Sequence, residues 1–380
     1  MRILSLTYEY PPIGGGGGVV ASSLNAMLVT HGYTVDVVTS ALRGLPEFEI
    51  ADGVQIHRAP CWRRYRHYTT AAELATTLLP AYETASRLIS RHAPDLIHAH
   101  FVLPSGIVAR ALARKFGIPY VLTAHGSDIP GYNPDRFNLL HKLLTPLWRR
   151  IVLGAAAITS PSEFLAAHIR RHIDVPVTVV PNGYTPDARP ACEKRNLVLV
   201  VSRLFPRKGV QHFVDSVARL SGDWEFVVAG DGPFLADLKT RAQRSGARVQ
   251  FVGFLDRTRL RALYEEAKIF VLPSIRENFP MVLLEAMDAG CAVITTDAEG
   301  CAEVVGDSGI VVPRGEPEPI RAALVELMSN PDRCRMLSRR ALERVQQFRW
   351  SRIALRYEAV FESAVARTAG RPLPLRHTAP

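Results

Sequence analysis

Short apolar, β-branched runs alternate with longer stretches of helical spacing along this chain, and the rhythm runs twice. In the first half RILSLTY, TVDVVTS, DLIHAHF, PYVLTAH, AAITSPS and VTVVPN read as strands, with helical spacing over 18–31, 69–92, 104–117 and 162–171. In the second half NLVLVVS, EFVVAG, RVQFVG, KIFVLPS, AVITTD and GIVVP are strands, separated by helices near 209–220, 233–245, 257–266 and 281–290. Helical stretches at about 317–329 and 331–347 and then 351–366 close the chain. Strands that are apolar throughout, rather than at alternate positions, are covered on both faces, as in a parallel sheet under helices. The fold class expected is therefore α/β, two Rossmann-like doubly wound parallel-sheet domains. The break between them is PNGYTPDARPACEKRN (181–196), rich in proline and polar residues. It sets domains of 1–183 and 184–350, with a flexible tail at 368–380. Two such sheets joined by a linker leave a central cleft, and their ligands bind beyond the carboxyl ends of the strands.

Composition removes several function classes. Hydrophobic residues are 47% and charged residues 22%, as in an ordinary globular protein. The five cysteines (Cys61, Cys192, Cys291, Cys301, Cys334) are scattered without metal-ligand spacing, which reads as a reducing compartment. MRILSLTYEYPP runs straight into a strand with no basic and apolar leader, and the best apolar stretch, Ile151 to Ile158, is broken by Gly154. A cytoplasmic protein is expected. The net charge of +10 favours anionic partners. Its even division between the halves argues against a nucleic-acid domain. Arg58, Arg63, Arg64 and Arg66 gather around Trp62, Tyr65 and His67, a solvated loop or a contact for an anionic lipid or phosphorylated acceptor. NLLHKLLTPLWRRIVL (138–153) has the mixture of an interfacial helix, or of a core helix with one solvated face.

The chemistry-bearing motifs fall in strand-to-helix loops. Gly14 to Gly18 precede an amphipathic helix, where glycines allow close approach and the helix N-terminus offers N–H groups to a phosphate. TVDVVTS ends without an acidic residue and no Lys-Ser/Thr follows the glycines, so neither a dinucleotide fingerprint nor a P-loop is present. In VVSRLFPRKG, Arg203 and Lys208 are five apart after a strand and form a candidate diphosphate clamp. In FVLPSIRENFPMVLLEAM, Glu277 lies in a loop and Glu285 on a helix of apolar neighbours. An unpaired buried carboxylate is costly, so Glu285 needs a partner, and ligand hydroxyls would suffice. Phe279 to Met281 add backbone donors at that helix start.

The series GGGGG, HGSD, PNGY, VSRLFPRKG, AGDGP, FVGF and ENFPMVLLEAM resembles, in that order, the retaining glycosyltransferases of family 4 with the GT-B fold. The resemblance covers essentially the whole chain. It implies that Arg203 and Lys208 hold the diphosphate of a nucleotide-sugar donor, that Glu277 contacts the donor sugar and that Glu285 contacts the ribose. Asn278, Phe279, Pro280 and Met281 complete the sugar and phosphate contacts. Pro280 departs from the Gly-Phe-Gly of many members and removes one backbone donor. His125 matches the histidine beside the anomeric carbon, Gly15, Gly16 and Gly17 the loop near the diphosphate and acceptor, and Phe254 the position of the base. A last helix, about 351–367, would cross back onto the first domain.

The implied reaction moves a hexose from a UDP- or GDP-sugar to a hydroxyl acceptor, a lipid-linked sugar among the candidates, in cell-envelope or exopolysaccharide synthesis. Front-face attack is expected, with the departing diphosphate receiving the acceptor proton. A carboxylate nucleophile has only Asp128 as a candidate. No Asp-x-Asp occurs, so no metal or other cofactor is expected. His98 and His100 end the strand DLIHAH on one face and, with Asp128, are the acceptor-side candidates. A lipid-linked acceptor would bring the protein to the inner face of the plasma membrane as a peripheral protein. Rival readings are a nucleotide-sugar 2-epimerase of the same fold, an inverting transferase with His125 as base, and a non-catalytic sugar-nucleotide-binding protein.

Overall fold

The computed structural model describes residues 1–66, 69–132, 138–186, 193–218, 220 and 222–370; His67, Cys192 and the end of the expected tail lie outside them. The chain forms two compact units, Met1–Gly183 with the last helix, and Tyr184–Arg349.

The first unit contains β1 (Arg2–Leu6), α1 (Gly16–Thr30), β2 (Thr34–Ser40), β3 (Phe48–Ala51), β4 (Val54–Ala59), α2 (Ala71–Arg91) and β5 (Leu96–His100). It continues with α3 (Ser105–Phe116), β6 (Tyr120–Thr123), α4 (Asn138–Gly154), β7 (Ala157–Ser160), α5 (Glu163–His172) and β8 (Thr178–Val179). The strand order is β3-β4-β2-β1-β5-β6-β7-β8, parallel except for β3 against β4. The parallel-sheet reading holds for the rest of the unit, and the hairpin adds an antiparallel edge strand that it did not include. Ala51 pairs with Val54 across Asp52 and Gly53, which have φ of 51° and 76°. Positive φ at both central residues is the two-residue turn whose twist suits a hairpin, and Asp-Gly favours it. Where the chain needs a firm helix start it supplies one. At α2 Thr70 Oγ1 accepts the Glu73 N–H (3.2 Å) while Glu73 accepts the Thr70 N–H (2.8 Å).

The second unit contains β9 (Arg195–Val201), α6 (Val210–Val217), β10 (Glu225–Ala229), α7 (Leu235–Ser245), β11 (Val249–Gly253), α8 (Arg257–Glu266) and β12 (Ala267–Leu272). There follow α9 (Met281–Asp288), β13 (Ala292–Thr296), α10 (Gly300–Val305), β14 (Ile310–Val312), α11 (Pro317–Ser329) and α12 (Pro331–Val345). Its order, β11-β10-β9-β12-β13-β14, is fully parallel. In each unit the chain reverses its direction of strand addition beside one strand, β1 or β9. The crevice at such a switch point is where doubly wound sheets take ligands. The glycine run follows β1, and Arg203 and Lys208 follow β9.

The last helix, α13 (Trp350–Ala369), belongs to the first unit. Trp350, Ile353, Tyr357 and Phe361 join the core formed by β1, β2 and α1. Trp350 lies so close to Gly183 that a Cβ there would meet its ring at 2.2 Å. Among the described residues no helix is long and apolar enough to cross a membrane. In α4 Trp148 and Ile151 are fully buried, while Arg149, Arg150, Leu143 and Leu153 are exposed, the pattern of a core helix with one solvated face. The basic cluster is partly structural, contrary to its reading as one solvated group. Arg58 pairs with Glu49 and is buried, and Arg63, also buried, donates to the carbonyls of Tyr8, Tyr65 and Arg66. Arg64, Arg66, Trp62 and Tyr65 are exposed, with Arg64 4.8 Å from the centre of the Trp62 ring.

Candidate functional site

In the second unit the loop after β9 is pressed against the loop after β12. Gly209 has φ of 68°, and a Cβ there would sit 1.8 Å from the Pro273 carbonyl oxygen. Only glycine permits this approach. The Ile275 N–H donates to the Arg207 carbonyl (2.9 Å), and the contact brings the two charged motifs together. Lys208 Nζ donates to Glu277 Oε1 (2.5 Å), which also accepts the Ser274 hydroxyl (2.9 Å). Both side chains are largely shielded from water, so the pair is stronger than a surface ion pair. Arg203 is exposed and makes no ion pair with any described residue, which leaves its whole guanidinium face to a ligand.

Two residues that the motifs did not point to hold this loop. Glu299 accepts the Glu277 N–H on Oε2 (2.8 Å) and Arg314 Nη1 on Oε1 (2.9 Å). Arg314 also donates to the Ile275 carbonyl (3.1 Å). Glu299 is thus a bracket between the Glu277 loop and the loop after β14. Gly300 beside it has no room for a side chain, since a Cβ would lie 1.6 Å from the Asn278 carbonyl oxygen. Glu299→Ala should loosen the loop and raise the KM for donor about tenfold, the size of one lost charge-assisted hydrogen bond. Glu299→Gln, which can still accept the N–H, should recover most of it; steady-state kinetics of the two variants decide.

Glu285 is half-buried on α9 and has a protein partner, Tyr264, whose hydroxyl donates to Oε2 (2.9 Å). The partner that a carboxylate in this position needs is thus supplied in part by the protein itself. Burial and the nearby carboxylate raise the Tyr264 phenol well above its ordinary range, so it remains a donor. Phe279 is a core residue packed against Phe348, at 5.8 Å between ring centres, so its side chain is unavailable to a donor. Pro280 precedes the first turn of α9, and Met281 packs partly against the same core. Phe254 is 82% exposed.

In the first unit the glycines divide by cause. A Cβ on Gly14 would strike Glu9 at 2.4 Å, and one on Gly17 would strike the Phe101 ring at 2.4 Å. Gly16 would meet nothing, and Gly15 only a Glu9 oxygen at 3.9 Å. Packing therefore explains Gly17 but not Gly16, while Gly15 stands at the N-cap of α1, a position that glycine suits. Glu9 Oε2 accepts the Gly15 N–H (3.0 Å). A carboxylate thus stands at the start of α1, where the sequence had suggested a phosphate.

His125 follows β6 and is half-buried. Its Nε2 shares a hydrogen bond with His100 Nδ1 (3.1 Å), and its ring packs on Phe101 at 4.4 Å. Asp128 accepts the His125 N–H on Oδ1 (3.0 Å) and the Val102 N–H on Oδ2 (2.7 Å). That ties the HGSD turn to the segment after β5, where Phe101 holds a φ of 71° that costs a non-glycine residue about 1–2 kcal/mol. Three expected acceptor contacts are corrected by burial. His98 is 0% exposed, bonded to Thr123 (2.7 Å) and packed on Phe361. His100 is 0% exposed, packs on His98 and shares a hydrogen bond with His125, and Asp128, at 2%, has both oxygens on backbone donors. His100 and Asp128 instead hold His125 and its turn in place.

Burial pushes the His125 and His98 imidazoles down to about 3 and His100 well below its ordinary value, while it pushes Asp128 up to about 6. His125 is therefore neutral at pH 7 and a poor general base. The signs fix how stability responds to acid. A histidine with a depressed folded pKa loses stabilisation as pH falls below about 6.5, because the unfolded chain takes up the proton first, whereas Asp128 opposes this between about 6 and 4. A His98→Leu variant should be less stable at pH 7.5, and its deficit should shrink by about 1 kcal/mol per pH unit toward pH 5. Denaturant melts at the two pH values measure the deficit; a constant one would contradict the burial argument.

A family model described as Glycosyl transferases group 1 matches residues 186–344, and one described as Glycosyltransferase Family 4 matches residues 14–188. The 2-deoxystreptamine glucosyltransferase of Streptomyces kanamyceticus is 30% identical over 319 residues, 74% of this chain and 81% of the relative. Among solved structures, a sucrose-phosphate synthase from Thermosynechococcus elongatus superposes with a TM-score of 0.79 at 24% identity, over 96% of this chain and 99% of that one. Anabaena HepE in complex with UDP gives 0.75 at 18% identity, over 96% and 100%.

Proposed function

The chain belongs to glycosyltransferase family 4, and on that premise we propose that it transfers a hexose-type sugar, with retention of configuration, from a UDP- or GDP-sugar to a hydroxyl acceptor. It is a glycosyltransferase of the GT-B fold. The observation that carries the finer reading is the meeting of Lys208 and Glu277 at the switch point of the second sheet, beside an unengaged Arg203. A diphosphate needs fixed positive charge, a pyranose needs a carboxylate that accepts from its hydroxyls, and the two loops supply both. Glu285 would take the ribose hydroxyls, backbone groups near Phe254 the base, and Asn278 to Met281 further sugar contacts.

In the step itself the acceptor oxygen bonds to the anomeric carbon as the bond from that carbon to the β-phosphate oxygen breaks. The acceptor proton passes to that phosphate oxygen, so a nucleoside diphosphate leaves and no side chain forms a covalent intermediate. Burial holds the His125 imidazole down to about 3, which makes it a weak base for a sugar hydroxyl, and this supports the route over an inverting one with His125 as base. Asp128, with both oxygens committed, is a poor nucleophile. We read the reaction as independent of metal, because the chain lacks Asp-x-Asp and two basic residues stand where the departing charge develops. The carboxylate of Glu9 beside Gly15 and Gly16 suits a neutral hydroxyl acceptor in the first unit better than a second phosphate. Exposed Trp62, Tyr65, Arg64 and Arg66 support a lipid-linked acceptor of the envelope or exopolysaccharide class, met at the inner membrane face.

The test is nucleoside diphosphate release from a panel of UDP- and GDP-sugars, with and without a chelator, over a set of sugar and polyprenyl-linked acceptors. Acceptor-dependent release that survives the chelator is expected. Release of an epimerised sugar without acceptor, or no turnover with any pair, would overturn the reading.

A further inference from the structure

The amino ends of the second unit's strands, opposite the loops just described, enclose a second cavity. Trp224 precedes β10, Lys268 is the second residue of β12, and Leu327 and Met328 come from α11. The space is about 390 Å³, within the usual range of small-ligand pockets of roughly 300–1,000 Å³.

Its chemistry is one-sided. Lys194, Lys268 and Arg335 line it, and among the described residues no Asp or Glu does. Arg335 pairs with Asp332, but both are well exposed and the pair is weak. Lys194 spends its ammonium on the carbonyls of Tyr264, Glu265 and Ala267, so it contributes charge but no free donor. Lys268 donates to the neutral Asn196 side chain (2.7 Å), which fixes the ammonium in place and leaves two of its three donors. A part-buried, positioned cation without a carboxylate, facing a wall of Trp224, Leu327 and Met328, matches an anion attached to an apolar ring. We propose that this cavity is a second small-molecule site, for a small organic anion with an apolar ring, the anion on Lys268 and the ring on the Trp224 wall. The site stands apart from the diphosphate loops and does not depend on which donor they take.

Phenyl phosphate is a suitable probe, read as the change in emission that Trp224→Phe abolishes. Saturable binding with a Kd of about 1 mM or tighter is expected. Inorganic phosphate, which lacks the ring, and benzyl alcohol, which lacks the charge, should each bind at least about tenfold more weakly. Lys268→Gln should weaken phenyl phosphate about tenfold. Arg335→Gln, at an exposed position, should weaken it about threefold and serves if Lys268→Gln fails to fold. No Trp224-dependent change, equal affinity for benzyl alcohol, or undiminished binding by a folded Lys268→Gln overturns the proposal.

Discussion

Lys208→Ala is expected to lower kcat/KM for sugar transfer by about 10²–10³-fold, the cost of removing one fixed donor from a developing oxyanion. Departure of a nucleoside diphosphate places negative charge on the β-phosphate in the transition state, and in the proposed reaction Lys208 is the cation that meets it. Its ammonium is fixed by Glu277, which Ser274 and the Glu299 bracket fix in turn. Little reorganisation is then needed, the condition under which a single charge contributes most. Lys208→Arg should not rescue activity, because a planar fork cannot replace a point charge in a site set for the latter. Removing the lysine also leaves Glu277 part-buried with, among the described residues, Ser274 alone as a side-chain partner, so a stability loss of about 1–3 kcal/mol should accompany the kinetic one. Thermal melts beside the kinetics separate the two; a folded Lys208→Ala enzyme of near-normal rate would remove Lys208 from the mechanism.

Glu285→Ala is the second large effect, and it should have a different signature. If Glu285 takes the ribose hydroxyls as proposed, its loss should raise the KM for donor by about 10–100-fold, as for a site built to hydrogen-bond a group it can no longer reach. The same change orphans the hydroxyl of Tyr264, which is 2% exposed, at a cost of about 1–3 kcal/mol in stability. Tyr264→Phe isolates that structural share, because it removes the partner and leaves the carboxylate for the ligand. It should alter donor KM by no more than about threefold. If Tyr264→Phe instead matches Glu285→Ala in KM, Glu285 acts through Tyr264 and not on the donor.

Much of this architecture is legible in the sequence because it rests on local pattern. Strands such as AVITT and helices such as 257–266 fall where periodicity places them, and Arg203, Lys208, Glu277 and Glu285 lie beside switch strand β9 or on its neighbours. What was not legible depends on contacts between distant residues. The β3–β4 hairpin escaped because Phe48 and Ile50 are exposed on an edge strand, although Asp52-Gly53 was a usable signal. Glu299 and Arg314 are 22 and 37 residues beyond Glu277 and have no periodic mark; their only cue was position, in loops that follow β13 and β14. The histidines misled in another way. His98 and His100 share a face and end a strand, as an acceptor pair would, yet α13 returns to cover that face, with Tyr357 and Phe361 against His98. Nothing near residue 98 reports on a helix more than 250 residues away.

Transfer with retention, from a nucleotide sugar whose leaving group takes the acceptor proton, fixes the anomeric configuration of the proposed product. The most direct measurement follows the anomeric proton of the product by NMR, with an α-linked UDP- or GDP-sugar and an accepted hydroxyl compound. An α-glycoside formed in step with one nucleoside diphosphate per transfer is the predicted result. A β-glycoside, or free sugar released without glycoside, would contradict it.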